Sequence, residues 1–205
     1  RFRRELDLDD PNLLEKLEAE CRLDRSSAWN LREYYLEQRR ETGCLPDDRR
    51  IVVETFPDEL GNWRVVLHSV FGGRVNGLLE LVAAKVAEAA TGVRPESMHS
   101  DDGVVLVFPS GERPPTNPLR GLNLSRAEQV KGEVLGSALF ATVFRHCAER
   151  ALLLARPLPK RRAPLYLNRI RAANLLAEAA AIPEFPIVAE AARECLSDVL
   201  DYDNF

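Results

Sequence analysis

The sequence is poor in lysine and methionine and has no long apolar run, and each shortage excludes a class of protein. Its apolar runs are far shorter than the roughly 18 to 20 residues that cross a bilayer, so no membrane-spanning segment is predicted. Charged residues dominate the first ten positions, where a secretory signal would be apolar, and no initiator methionine is present, so we expect a piece of a longer protein. None of the four lysines follows a glycine, which excludes the Gly-Lys-Ser/Thr loop of nucleotide hydrolases.

Cysteine pairs that would indicate zinc or disulfides are also lacking. The four cysteines lie 23, 103 and 48 residues apart, and Cys147 and Cys195 fall on apolar helical faces. This spacing predicts buried thiols in a reducing cytoplasm rather than disulfides or zinc ligands. Hydrophobic residues make up 45% of the chain and charged residues 29%, which is the composition of a folded domain. The net charge of −4 means that the chain does not bind nucleic acid by bulk charge alone.

Candidate catalytic groups are few. No Gly-x-Ser-x-Gly elbow occurs. Some side chains are of the types that bind a metal ion, namely His68, His99, His146, Asp101 and Asp102. The two aspartates are also typical of a tight turn, and this is the stronger interpretation. No catalytic residue, metal ligand or cofactor is therefore assigned within the chain, and whether it is itself an enzyme stays open.

The first half of the chain predicts two helices followed by a small sheet. Two helices are expected within 11–43, the second beginning at Ser26 or Ser27 and ending at Gly43. The next section is predicted to be β-β-α-β-β, with strands at 51–56, 63–70, 97–100 and 104–108 and a helix at 75–90. The Asp101-Asp102-Gly103 sequence is typical of a tight hairpin.

The second half is predicted to be helical after a proline- and glycine-rich connector. Helices are expected at 125–134, 139–154, 165–181 and 187–200. The predicted division is an N-terminal helical segment (1–44), a sheet subdomain (45–109), a connector loop (110–124) and a C-terminal helical subdomain (125–205). The fold class is therefore α+β, with a small antiparallel sheet carrying a helix on one face, flanked by N-terminal helices and a C-terminal helical bundle.

One segment is strongly basic in an otherwise acidic chain. Between residues 145 and 172 there are eight lysines and arginines and a single acidic residue, Glu149. Prolines bracket Lys160, Arg161 and Arg162, which predicts an exposed loop that contacts phosphates. The alternative is a solvated surface or an ion-pair seam with the acidic side chains of the last helix, which are Glu190, Glu194 and Asp198.

Trp63 is a second candidate for contact with nucleic acid. Alternation along its strand sends Trp63, Val65 and Leu67 to one face and Arg64, Val66 and His68 to the other. A tryptophan on a strand can stack on an unpaired base, and we place Arg64, His68 and Arg74 near it as further nucleic-acid-binding residues. The alternative is that Trp63 belongs to the hydrophobic core.

Several runs of residues resemble the region that follows the motor domains of large helicase-related (Lhr) proteins, which are superfamily 2 helicases. The runs are Leu45-Pro46-Asp47-Asp48-Arg49-Arg50-Ile51-Val52-Val53-Glu54, Asp58-Glu59-Leu60-Gly61-Asn62-Trp63-Arg64-Val65, Met98-His99-Ser100-Asp101-Asp102-Gly103, Gly136-Ser137-Ala138-Leu139-Phe140, Arg150-Ala151-Leu152-Leu153-Leu154 and Phe185-Pro186-Ile187-Val188. With Arg193-Glu194-Cys195-Leu196 they cover about 45–201, and the region is called the DEAD/H-associated domain.

The resemblance implies part of an ATP-dependent helicase that moves 3′ to 5′ on single-stranded DNA, or acts on an RNA:DNA hybrid, in DNA repair. ATP and magnesium would then be held by the RecA-like motor domains of the same polypeptide, with no cofactor in this part. The expected partners are single-stranded DNA, the winged-helix domain and the RecA-like domains, in the cytoplasm and away from membranes. The competing hypothesis is a structural clamp that packs on those domains without touching nucleic acid.

Overall fold

The computed structural model describes residues 2–6, 8–110, 114, 127–154, 164–182 and 184–205. Among the described helices, none combines the length and the apolar character that a bilayer crossing requires. The predicted connector at 110–124 lies outside the described residues, apart from Ser110 and Pro114.

Three helices open the chain: α1 (Phe2–Glu5), α2 (Leu13–Cys21) and α3 (Arg25–Thr42). The expected start of α3 at Ser26 or Ser27 was wrong, because the carboxylate of Asp24 caps the helix by accepting the backbone N–H of Ser27 at 2.8 Å. Its end at Gly43 is confirmed, with the left-handed φ of 76° that favours glycine. The helices share a small core of their own, formed by Leu8, Leu13, Leu17, Ala28 and Tyr35.

The sheet has four antiparallel strands in the order β1-β2-β4-β3. They are β1 (Val52–Pro57), β2 (Trp63–His68), β3 (Glu96–Ser100) and β4 (Gly103–Phe108). Both predicted hairpins are confirmed by the pairing of β1 with β2 and of β3 with β4. The predicted alternation is confirmed as well, since Val65 and Leu67 are buried while Arg64 and His68 remain partly accessible.

Helix α4 (Gly73–Thr91) lies between the sheet and the C-terminal helices. One of its faces packs on the sheet through Leu79, Ala83 and Ala87. Another carries Leu78 and Val82 into the core of the C-terminal helices. The predicted α+β class is confirmed. Helix α4 contributes buried side chains to both of the larger hydrophobic cores.

A buried polar network fixes the start of α4 to the tip of the β3–β4 hairpin. Asn76 accepts a hydrogen bond from the Ser69 hydroxyl at 2.6 Å, and its amide donates to the carbonyl of Ser100 at 2.8 Å. Asn76 and Ser69 are both fully buried, so these bonds satisfy groups that would otherwise be costly to bury.

The C-terminal helices are α5 (Ala127–Leu135), α6 (Ala138–Arg150), α7 (Leu165–Ala179) and α8 (Pro186–Arg193). The apolar helical face predicted around Cys147 is confirmed in α6, where Phe140, Val143 and Phe144 are buried together with Cys147. The expectation of one helix over 187–200 was wrong. After Arg193 the chain widens into a π-helical segment (Glu194–Val199), followed by a 3₁₀ turn (Tyr202–Asn204).

Candidate nucleic-acid interface

Trp63 begins β2 on the face that carries Val65 and Leu67. Its indole is half-buried and packs against the core between the sheet and α4. In the sheet register it lies between Pro57 of β1 and Phe108 of β4. The ring is thus neither fully buried nor freely exposed, and its use for base stacking stays a prediction.

Arg64 and His68 lie on the opposite face of the sheet, which α4 does not cover, and each has an acidic partner. The guanidinium of Arg64 pairs with Asp58 at 3.1 Å, and the ring of His68 lies 3.1 Å from the carboxylate of Glu54. Burial alone would raise the pKa of Asp58, but hydrogen bonds from Asn62, Leu60 and Arg64 hold this pKa below its usual value. Asp58 therefore stays charged in the turn and balances Arg64.

Arg74 lies in the first turn of α4, and its guanidinium is used within the fold. It donates hydrogen bonds to the carbonyl oxygens of Ser197 and Leu200 at the end of the chain. The four candidate residues at positions 63, 64, 68 and 74 consequently do not form one surface. Arg64 and His68 share a face, Trp63 lies on the other, and Arg74 faces the π-helical segment.

The third group of candidates, Lys160, Arg161 and Arg162, lies outside the described residues. The acids offered as an alternative partner for them are described, and all three pair with other arginines. Glu194 binds Arg150, while Glu190 and Asp198 pair with Arg193. Hydrogen bonds from Arg150 and from Arg193 hold the pKa values of Glu194 and Glu190 below their usual range.

The histidines considered for metal binding have other contacts. His99 lies 2.5 Å from the carboxylate of Glu80, and Asp101 accepts the backbone N–H of Gly73 at 2.9 Å. Within the described ranges, no three histidine, cysteine or acidic side chains are grouped as a metal ion would require. The two aspartates thus form the turn of the β3–β4 hairpin, as the sequence predicts, and Asp101 also binds the start of α4.

Exposed aromatic side chains on α3 were missed by the sequence analysis. Trp29 and Tyr34 are each 51% exposed, and the guanidinium of Arg32 lies 5.9 Å from the centre of the Trp29 ring. The helical spacing could have revealed this, because Ala28 and Tyr35 define the buried face and leave Trp29 beside it. A tryptophan exposed next to an arginine suits stacking on a base better than the half-buried Trp63.

The model of the DEAD/H associated family matches residues 45–205. The chain belongs to this family. The match begins after α3 and includes the whole sheet, α4 and the C-terminal helices. It confirms the resemblance drawn from the sequence motifs.

Known relatives of this DEAD/H associated chain are Lhr helicases. It is 49% identical to the Lhr helicase and probable uracil glycosylase of Mycolicibacterium smegmatis, over 84% of this chain and 12% of that protein. It is 39% identical to the Lhr helicase and uracil glycosylase of Escherichia coli, over 84% of this chain and 11% of the relative. It is 30% identical to the helicase Lhr-Core of Methanothermobacter thermautotrophicus, over 94% of the chain and 22% of the relative.

A solved structure shares the fold. It is the Mycobacterium smegmatis helicase Lhr bound to single-stranded DNA and AMP-PNP, which matches 98% of this chain with a TM-score of 0.78 and 41% identity. The match occupies 25% of that protein chain. The chain therefore spans between about a tenth and a quarter of the length of the relatives named here.

Proposed function

We propose that the chain is a non-catalytic accessory domain of an Lhr-like, 3′-to-5′ ATP-dependent DNA helicase, in which it contacts and guides single-stranded DNA. The main support is the similarity over 98% of the chain to part of a helicase bound to single-stranded DNA. In this proposal the RecA-like domains hold ATP and magnesium, and those domains and the winged-helix domain are its partners in the same polypeptide. Action in cytoplasmic DNA repair, on DNA or on an RNA:DNA hybrid, belongs to the same proposal.

The chemistry of the chain supports contact with a polyanion. Its basic residues are mainly arginines, whose planar guanidinium groups bind phosphates and stack on bases. They are concentrated at 145–172 although the chain as a whole is acidic. A local cluster of this kind gives affinity for the backbone without sequence preference.

A second candidate function is the structural clamp, and the uncovered face of the sheet favours it. Register and alternation place Val66, Val105, Val107 and Met98 on this face, and the Met98 side chain is 56% exposed. Glu54, Glu96 and Arg64 lie around them. An apolar centre with a charged rim is typical of a surface that packs against another protein domain.

The two functions are distinguished in the full-length helicase that carries this chain. We expect Trp29→Ala and Trp63→Ala to weaken binding of single-stranded DNA and to lower unwinding per ATP hydrolysed. Trp63→Phe is the matched control, because it retains an aromatic ring in the core. If DNA affinity is unchanged in all of these while Met98→Asp lowers unwinding, the clamp is the correct function.

The chain alone is expected to hydrolyse no ATP, because it lacks the Gly-Lys-Ser/Thr loop that holds phosphates. A phosphate-release assay on the purified chain tests this. Turnover that copurifies with the chain and disappears on mutation of one of its own carboxylates would contradict the non-catalytic assignment.

A further inference from the structure

Helix α7 presents an aromatic side chain and an arginine to solvent on the same face. Its inner side is buried through Ala172 and Ala179. On the outer side, Tyr166 is 61% exposed and Ile170 is 53% exposed, with Arg169 also exposed. Side chains three and four positions apart lie on the same face of a helix, so Tyr166 shares this face with Arg169 and Ile170.

The sequence on either side of Tyr166 and Arg169 is basic, and the first acidic residue after it is Glu178, near the end of α7. From residue 151 to residue 177 the sequence has six basic residues and no acidic residue. Arg169 and Arg171 are exposed, and neither has an acidic partner among the described residues. Arg150 and Arg193 differ, since both are paired with glutamates. The face formed by Tyr166, Arg169 and Ile170 is therefore complementary to a polyanion.

We propose that this face of α7 is a binding subsite for single-stranded nucleic acid, in which Tyr166 stacks on a base and Arg169 contacts a neighbouring phosphate. The proposal rests on the proposed function and names a site for it. An aromatic ring with an adjacent cation is the combination that binds an unpaired strand without sequence preference. Aromatic side chains and arginine are also enriched at protein-protein interfaces, and the lack of any acidic residue from 151 to 177 is what favours a polyanion over a protein partner.

The position of Tyr166 makes the subsite simple to test. Its ring lies outside the core, so a substitution there should leave the fold intact. A helix also holds the ring in a fixed position, and a tyrosine has only two side-chain torsions to order on binding. Ile170 extends the apolar surface beside the ring and offers contact to a sugar or to the edge of a base.

The experiment uses the full-length helicase and a single-stranded oligonucleotide that carries 2-aminopurine, whose fluorescence falls when a ring stacks on it. We expect Tyr166→Ala to weaken binding by about 5- to 150-fold and to abolish this quenching, while Tyr166→Phe retains both. Arg169→Gln should reduce the slope of log affinity against log salt by about 0.7. Arg94→Gln is the matched control, because Arg94 is an exposed arginine outside the basic segment at 145–172 and its loss should leave quenching and salt slope unchanged.

Three outcomes would overturn the subsite. If Tyr166→Ala leaves affinity and quenching unchanged while Trp29→Ala or the loss of Lys160, Arg161 and Arg162 weakens DNA binding, the proposed function stands and this subsite is wrong. If none of these variants changes DNA binding, both proposals fail. If Tyr166→Ala leaves DNA binding intact but lowers the free energy of unfolding of the whole helicase, the face docks protein instead.

Discussion

The guanidinium of Arg74 donates a hydrogen bond to the carbonyl oxygen of Leu200, 3.3 Å away, and so joins the first turn of α4 to the end of the π-helical segment. It also donates to the carbonyl of Ser197. Carbonyls at the end of a helix lack partners within it, and a guanidinium with five donors can serve two of them. Arg74 therefore fastens the last turn of the C-terminal core to the central helix.

We expect Arg74→Gln to lower the free energy of unfolding by about 1–2 kcal/mol, because two carbonyls lose a charged donor. Urea denaturation followed by circular dichroism measures this. Arg171→Gln is the control, since Arg171 is exposed and its replacement should change stability by no more than about 0.5 kcal/mol. Unchanged stability together with weaker DNA binding would instead show that Arg74 contacts nucleic acid, as its sequence context first indicated.

Two glycines should respond to alanine with opposite signs. A Cβ at Gly103 would lie 2.0 Å from the carbonyl oxygen of Leu67 on the neighbouring strand, so Gly103→Ala must push β4 away from β2. We expect a loss of more than about 3 kcal/mol of unfolding free energy. A Cβ at Gly132, inside α5, would meet open space, so Gly132→Ala should gain about 0.5–1 kcal/mol.

Chemical denaturation of both glycine variants and of the unchanged chain tests this prediction. A stable Gly103→Ala variant would show that the close approach of β4 to β2 is absent in solution. A destabilised Gly132→Ala variant would show that α5 is not helical at that position, or that its outer side is covered.

Two of the thiols should be slow to react. Burial raises the pKa of Cys147, with a further contribution from the adjacent carboxylate of Glu194, and burial also raises the pKa of Cys195. The thiolate is the reactive form, so a raised pKa keeps both thiols protonated to a higher pH. We expect an aromatic disulfide reagent at neutral pH to modify the exposed Cys21 rapidly, and Cys147 and Cys195 only after unfolding.

Mass spectrometry after timed labelling identifies the modified cysteines. Cys21→Ser should remove the fast phase. Rapid labelling of Cys147 in that variant would mean that α6 and α8 separate often enough to open the core. The predicted burial of the thiols is confirmed for Cys147 and Cys195 and is wrong for Cys21, which is exposed on α2, while Cys44 is partly exposed.

The strands and helices could be predicted because their information is local. The alternation along β2 depends only on neighbouring residues. It also implied that Trp63 and Arg64 point to opposite faces of the sheet, and for this reason the two residues do not form one surface. The contact of Arg74 with Leu200 could not be predicted, since 126 residues separate the pair. The exposure of Tyr166 likewise depends on how α7 packs. Apolar residues lie on more than one side of α7, so its sequence alone does not decide which side is buried against the neighbouring helices.

The last prediction concerns the basic loop. Prolines at 159 and 164 disfavour a helix through Lys160, Arg161 and Arg162, and burying three unpaired cations would be costly. The acids that could have formed an ion-pair seam with them are already paired with Arg150 and Arg193.

If each of these three cations meets one phosphate, replacing all three with alanine should lower the salt slope of single-stranded DNA binding by about 2. The measurement is a salt titration of DNA affinity in the full-length helicase, with Arg171→Gln as a variant of altered charge on the same segment. Parallel lines for the triple variant and the unchanged protein would mean that these cations do not touch the strand, and would leave the outer face of α7 and the aromatic side chains of α3 as the remaining contacts.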